Sequence, residues 1–251
     1  MPCGAPDGHE DDGMIRQIFA LSLLVLGMMM TPTPSRAEPR ILVMGDSLLA
    51  MHKLLGRSVS SSVERELRVR VTDMSVAGAR FLYRLPISGA LGLNITKQFR
   101  QGDWDWAVLN GGGNDLWLGC GCMRCAGKLD RLISSDGRRG VIPGFVSRLR
   151  QSGAQVIYVG YLRTPGITSP VEHCTDEGAE MDRRVALLAG LDRGVHFLPL
   201  ADMVPHGDRS YHAIDLIHPS FKASRMIGQR IARIVVENDP GRVSHNRIMT
   251  D

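Results

Sequence analysis

Three separated fragments of this sequence carry side chains whose types and spacing suit nucleophilic attack on a carbonyl. Ile41-Leu42-Val43-Met44-Gly45-Asp46-Ser47-Leu48 is an apolar run that ends in Gly-Asp-Ser. It sets a serine hydroxyl at the carboxyl end of a strand, where open α/β sheets keep their ligand crevice. A serine is a weak nucleophile until a base takes its proton and a third group orients that base. Asp215-Leu216-Ile217-His218 offers both, three residues apart. At that spacing, in a helix or turn, Asp215 can accept from one imidazole nitrogen while the other points outward, and a buried aspartate would stabilise the imidazolium. The oxygen that becomes anionic needs donors, and the side-chain amide of Asn114 in Leu109-Asn110-Gly111-Gly112-Gly113-Asn114-Asp115 can be one. The Gly78 N–H, in Ala77-Gly78-Ala79, can be another.

Each fragment also has a plainer reading. Asp46 and Ser47 can cap a helix, Asp-x-x-His can be a surface hydrogen bond, Asn114 can sit in a left-handed turn, and Gly78 can simply turn the chain. A phosphate cradle at Gly111-Gly112-Gly113 fails on detail. There is no Gly-x-Gly-x-x-Gly or Gly-Lys-Ser/Thr, and Leu116-Trp117-Leu118 is a poor helix start for an anion site.

Residues so far apart must be gathered by a scaffold, and the chain alternates short apolar runs with longer amphipathic ones. Strands are expected at Ile41 to Met44, Val69 to Met74, Trp106 to Leu109, Val156 to Val159 and Val195 to Leu198. Their nearly continuous apolar character suits a parallel sheet buried on both faces. Helices are expected at about Leu49 to Leu67, Val141 to Gln151, Glu177 to Leu191 and Pro219 to Glu237. In the last, Phe221, Met226, Ile227, Ile231, Ile234 and Val235 form an apolar stripe opposite Lys222, Arg225, Arg230 and Arg233. Arg131 to Gly140 reads as an exposed loop, and residues 239–251 as a polar tail.

The 251 residues suffice for one α/β domain, expected over 38–238. The net charge of +4 is scattered, without the basic stripe of a nucleic-acid binder. Residues 18–30 are apolar, follow Arg16 and precede the small-x-small Ser35-Arg36-Ala37, so residues 1–37 read as a signal peptide and Glu38 as the mature start. The acidic leader points to Met14 as the initiator, and a single anchoring helix is the other reading. Cleavage removes four acidic and two basic residues, raising the charge from +4 to +6. The location expected is periplasmic or secreted, with no stable membrane anchor after cleavage. Cys120, Cys122, Cys125 and Cys174 remain, an even number suited to two disulfides in an oxidising compartment. Four such ligands could also hold zinc.

Taken in order, Gly45-Asp46-Ser47-Leu48, Gly78, Gly112-Gly113-Asn114-Asp115 and Asp215-Leu216-Ile217-His218 resemble the four motif blocks of the SGNH or GDSL hydrolase family. The resemblance runs from Ile41 to about Pro219. It implies a three-layer α/β/α, flavodoxin-like domain with a five-stranded parallel sheet. It also implies Ser47 as nucleophile, His218 as base held by Asp215, and an oxyanion hole from the Ser47 and Gly78 N–H groups and the Asn114 amide. Neither metal nor organic cofactor belongs to that chemistry. The departure from the family pattern is Gly119-Cys120-Gly121-Cys122-Met123-Arg124-Cys125, a cysteine-dense insertion expected to shape the substrate pocket, with Cys174 as one disulfide partner. The expected activity is hydrolysis of a short acyl ester on a small molecule or envelope carbohydrate. An acyltransferase on the same scaffold and a non-catalytic or zinc-binding envelope module are the rivals. Oligomeric state is left open.

Overall fold

The computed structural model describes residues 1, 3–4, 38–166 and 169–239. The chain divides into two units, Met1–Arg36 and Ala37–Asp251. Nearly all of the expected signal peptide, and the tail beyond Asp239, lie outside the described residues. Among those described, no helix is long and apolar enough to cross a membrane.

The second unit holds five strands, β1 (Ile41–Met44), β2 (Val71–Asp73), β3 (Trp106–Leu109), β4 (Gln155–Val159) and β5 (Val195–Leu198). Among its described residues the α-helices are α1 (Ser47–Ala50), α2 (Val59–Leu67), α3 (Pro86–Ser88), α4 (Gly113–Cys120), α5 (Ala126–Leu132), α6 (Val141–Gln151), α7 (Thr175–Gly190) and α8 (Phe221–Asn238). The strands form one parallel sheet in the order β2-β1-β3-β4-β5, in register Ile41 with Val71 and Trp106, Trp106 with Gln155, and Val156 with Val195. This is the expected flavodoxin-like order. It reverses direction once, between β1 and β3, and the crevice at the carboxyl ends of those two strands is where such sheets bind ligands.

Side chains alternate across the sheet. Leu42, Met44, Ala107, Leu109, Val156 and Tyr158 face Phe145 and Leu149 of α6 and Met181 and Val185 of α7. Ile41, Val43, Trp106, Val108, Ile157 and Val159 face Val59 and Val63 of α2 and Ile227, Ile231 and Val235 of α8. Both layers are apolar, so the inner strands β1, β3 and β4 are buried on two sides and read as apolar runs, whereas the edge strand β2 has Thr72 exposed. Helices α2 and α8 meet so closely that a Cβ on Gly228 would lie 2.4 Å from the Ser62 Cβ and 2.8 Å from the Val59 carbonyl. In an open helix Gly→Ala stabilises by about 1 kcal/mol. Gly228→Ala is expected to do the opposite, costing about 1–3 kcal/mol through overpacking, as urea unfolding would measure.

Several boundaries differ from the expectation. The single helix expected over Leu49 to Leu67 is three pieces, α1, a 3₁₀ turn at Lys53–Leu55, and α2. The backbone is left-handed at His52 (φ 64°) and Gly56 (φ 62°), and Ser58 then caps α2 by accepting from the Ser61 N–H at 3.2 Å. Strand β2 is shorter than Val69 to Met74, α7 begins two residues before Glu177, and α8 starts only after Ser220, which caps it at Ala223 N–H. The exposed loop expected from Arg131 to Gly140 begins inside α5, and Leu132 and Ile133 are fully buried. Leu116 lies on the buried face of α4, which forms directly after the glycines.

Candidate active site

The site is assembled where β1 and β3 end. Gly45 has φ 156°, and a Cβ there would come within 2.9 Å of the Asn110 carbonyl, so only glycine lets the two strand ends approach this closely. Buried Gln98 secures the turn, accepting from the Gly45 N–H at 2.7 Å and donating to the carbonyls of Gly45 and Gly92 at 2.9 and 2.8 Å. Asp46 caps α1 by accepting from the Leu48 N–H at 3.0 Å, which makes Ser47 the first helical residue. The capping role and the presentation of Ser47 are therefore one feature.

From β3 the chain passes through Gly111 and Gly112 into α4, with Asn114 in its first turn, not in a left-handed turn. The Asn114 amide donates to the Ala79 carbonyl at 3.2 Å and approaches Asp46 Oδ2 at 3.5 Å. Its neighbour Asp115 is buried and accepts from the Phe81 and Leu82 N–H groups at 2.9 and 2.8 Å. These bonds pin the loop carrying Gly78 against α4. Gly78 itself is exposed with φ 77°, one residue before the carbonyl that holds Asn114.

His218 Nδ1 lies 2.6 Å from Asp215 Oδ2, and Asp215 Oδ1 accepts from the Ile217 and His218 N–H groups at 3.0 Å each. The spacing works through a turn, with Leu216 left-handed at φ 57°. Asp215 is not buried as expected, its side chain being 38% exposed. What burial it has pushes its carboxyl up, but the bonds from His218 and the two backbone N–H groups outweigh that and hold it below the usual range. It therefore stays anionic beside the imidazole.

Ser47, Asn114 and His218 line one cavity of about 130 Å³, and Gly78 is not among its lining residues. Leu48, Leu116, Trp117, Met181 and Ile217 give it apolar walls, and the Cys122–Cys174 disulfide completes one of them. The second disulfide joins Cys120 to Cys125. Donor atoms of Cys122, His173 and Cys174 lie within 4.8 Å of one another. Since all four sulfurs are in disulfides, none is the thiolate that zinc requires.

Several polar residues of the site were missed in the sequence because nothing marks them locally. Tyr161, just past β4, donates its hydroxyl to Asp46 Oδ2 and accepts the Gly113 N–H at 3.0 Å. A Cβ on Gly113 would be 2.7 Å from the Tyr161 ring, so that glycine makes room for the phenol. Arg163 lines the cavity and is paired with Asp182 at 2.6 Å. Burial raises the carboxyls of Asp46 and Asp182 from 3.8 to about 6, against the pull of Tyr161 and Arg163 respectively.

The sign of that shift is testable. A carboxyl with its folded pKa above its unfolded one holds more protons when folded, so stability falls as pH rises from about 4 to about 6. Each group contributes at most about 1.4 kcal/mol per pH unit in that window. Thermal unfolding followed from pH 4 to 7 is expected to show the decline, and Asp182→Asn to flatten it; a parent curve that rises throughout would contradict the assignment.

A three-layer α/β/α hydrolase is the class that this fold and site define. The chain belongs to the GDSL-like lipase/acylhydrolase family, whose sequence model matches residues 43–225. Among curated proteins no sequence matches it. Of solved structures, an SGNH hydrolase from Slackia heliotrinireducens is similar at 20% identity and TM-score 0.55, over 78% of this chain and 98% of that one. A family two carbohydrate esterase from Clostridium thermocellum, in complex with cellohexaose, is similar at 14% identity and TM-score 0.52, over 83% of this chain and 66% of that one. The acetyl xylan esterase Est2A from Butyrivibrio proteoclasticus is similar at 11% identity and TM-score 0.51, over 82% and 66%. At these identities the likeness is one of fold.

Proposed function

We propose that this protein is an exported serine esterase that removes short acyl groups from carbohydrate through a covalent intermediate on Ser47. His218 takes the Ser47 proton as Oγ bonds to the ester carbon, and returns it to the alcohol oxygen as that C–O bond breaks. Water, deprotonated by His218, then adds to the acyl-enzyme, and Ser47 Oγ leaves with the proton. The oxyanion is held by the Ser47 and Gly78 N–H groups and the Asn114 amide. The carrying observation is that Ser47, Asn114 and His218 border one cavity while Asp215 grips the far nitrogen of His218.

A cavity of about 130 Å³ favours a small acyl group over a long chain. Arg163 favours a hydroxylated alcohol half. Among the described residues its guanidinium has Asp182 as its side-chain partner, through one nitrogen, and its other N–H groups suit the oxygen acceptors of a sugar. The fold neighbours that act on carbohydrate are in keeping with this. Two disulfides suit an oxidising compartment, which with the apolar leader supports export.

A fluorophosphonate that traps activated serines, followed by peptide mass spectrometry, tests the reading. Labelling is expected at Ser47 and absent in Ser47→Ala; folded parent protein that stays unlabelled would overturn it. Asn114→Ala is expected to lower kcat about 10²–10³-fold, the effect of losing one oxyanion donor. Turnover of an aryl acetate checks this, and a rate within threefold of the parent removes Asn114 from the hole.

A further inference from the structure

His52, five residues after Ser47, reaches across to the loop that carries His218. Its Nε2 is 2.9 Å from the Pro219 carbonyl. A carbonyl only accepts, so Nε2 carries the proton and donates it. The His52 ring packs on Phe221 with centroids 4.3 Å apart, and the Arg57 guanidinium covers the same Phe221 ring at 4.8 Å. The next residue is anchored in the opposite direction: Lys53 Nζ donates to the Ser75 carbonyl at 2.7 Å and pairs with Asp73 Oδ1 at 3.0 Å, beside the end of β2. Met51, just before, bonds back through its N–H to the Ser47 carbonyl at 2.9 Å.

The backbone at His52 is left-handed, which costs a non-glycine residue of this kind roughly 1 kcal/mol or more and persists only when the surroundings hold it. Helix α1 ends where Met51 turns extended (ψ 138°), and the left-handed His52 that follows turns His52 and Lys53 toward different neighbours. One is the Pro219 carbonyl, the other the loop leading to Gly78. Among the described residues His52 is the hydrogen-bond partner of the Pro219 carbonyl; on either side of it the His218 carbonyl accepts from the Ala213 N–H at 2.8 Å and the Ser220 N–H donates to the Tyr211 carbonyl at 2.9 Å, so the His52 bond ties this paired segment to the turn after Ser47.

We propose that His52 is a positioning residue, whose Nε2–H bond to the Pro219 carbonyl holds the His218 loop in line with Ser47. This rests on the reading of Ser47 and His218 given above. Misplacement of a reacting pair by about 1 Å can cost on the order of 10²-fold, so a bond that sets their separation has leverage out of proportion to its own strength.

The test is the rate constant for fluorophosphonate labelling of Ser47 in the full chain, which needs no knowledge of the substrate. His52→Phe keeps a ring on Phe221 but cannot donate. It is expected to label about 10–100-fold more slowly, with circular dichroism unchanged. His52→Gln, which can still donate, is expected to recover most of that rate. In a His218→Ala background, His52→Phe is expected to have no further effect, because it acts through His218. If His52→Phe does not fold, His52→Asn replaces it, since asparagine tolerates the left-handed backbone but is too short to reach Pro219. Phe and Gln variants equally slow, a Phe or Asn variant as fast as the parent, or an undiminished loss in the His218→Ala background would overturn the proposal while leaving Ser47 as nucleophile. An unlabelled parent removes both.

Discussion

Alanine at His218 is expected to lower kcat by about 10⁶, as much as alanine at Ser47, and the two together no more than either alone. The reason is that in the proposed mechanism Ser47 and His218 act as one unit. A serine without its base stays protonated, and a base without its serine has nothing to activate. A residual rate of about 10³–10⁴ over water should survive in the double variant, because the proposed oxyanion donors, the Asn114 amide and the backbone N–H groups, are still in place. Single-turnover measurements on an activated acetate ester, with each variant's folding checked by circular dichroism, decide the matter. Additive losses would mean that the two residues work independently and the triad is wrong.

Asp215→Asn is expected to lower kcat by about 10⁴ while leaving the loop in place. Asn keeps an oxygen for the Ile217 and His218 N–H groups, which Asp215 holds at 3.0 Å each. Its amide nitrogen then stands where Oδ2 now accepts from Nδ1 at 2.6 Å. An NH₂ group there donates to Nδ1, which forces the proton to Nε2, the nitrogen that must take it from Ser47. The imidazolium also loses its anion. Asp215→Glu is the useful companion, since it restores the charge at a longer reach and should recover part of the rate. A tenfold loss or less in Asp215→Asn would mean that the exposed carboxylate of Asp215 does little beyond shaping the turn.

Much of the site could be read from residues that follow strands. Gly45-Asp46-Ser47 and the glycines before Asn114 are legible because a parallel sheet leaves its ligand crevice at strand ends, and because close approach of backbones demands glycine at Gly45. The helix expected to continue from Leu49 to Leu67 was not legible. Its residues are compatible with one helix, and the break comes at an extended Met51 followed by a left-handed His52 whose partners, Pro219 and Phe221, are more than 160 positions away. Asp46 read as a cap because capping is local. That burial lifts its carboxyl to about 6, against the bond from Tyr161, depends on the walls around it.

What the sequence by itself determined is the alternation of apolar runs and amphipathic stretches, the order of the motif blocks, and the four cysteines left for pairing. These are properties of period and residue type, and they act over a few positions along the chain. Which cysteines pair, which aromatic hydroxyl meets Asp46, where Arg163 points and what His52 holds were decided by tertiary structure alone. Each depends on two segments distant in sequence meeting at bond length, as Cys122 does Cys174 across 52 positions. Nothing local in either segment records the other.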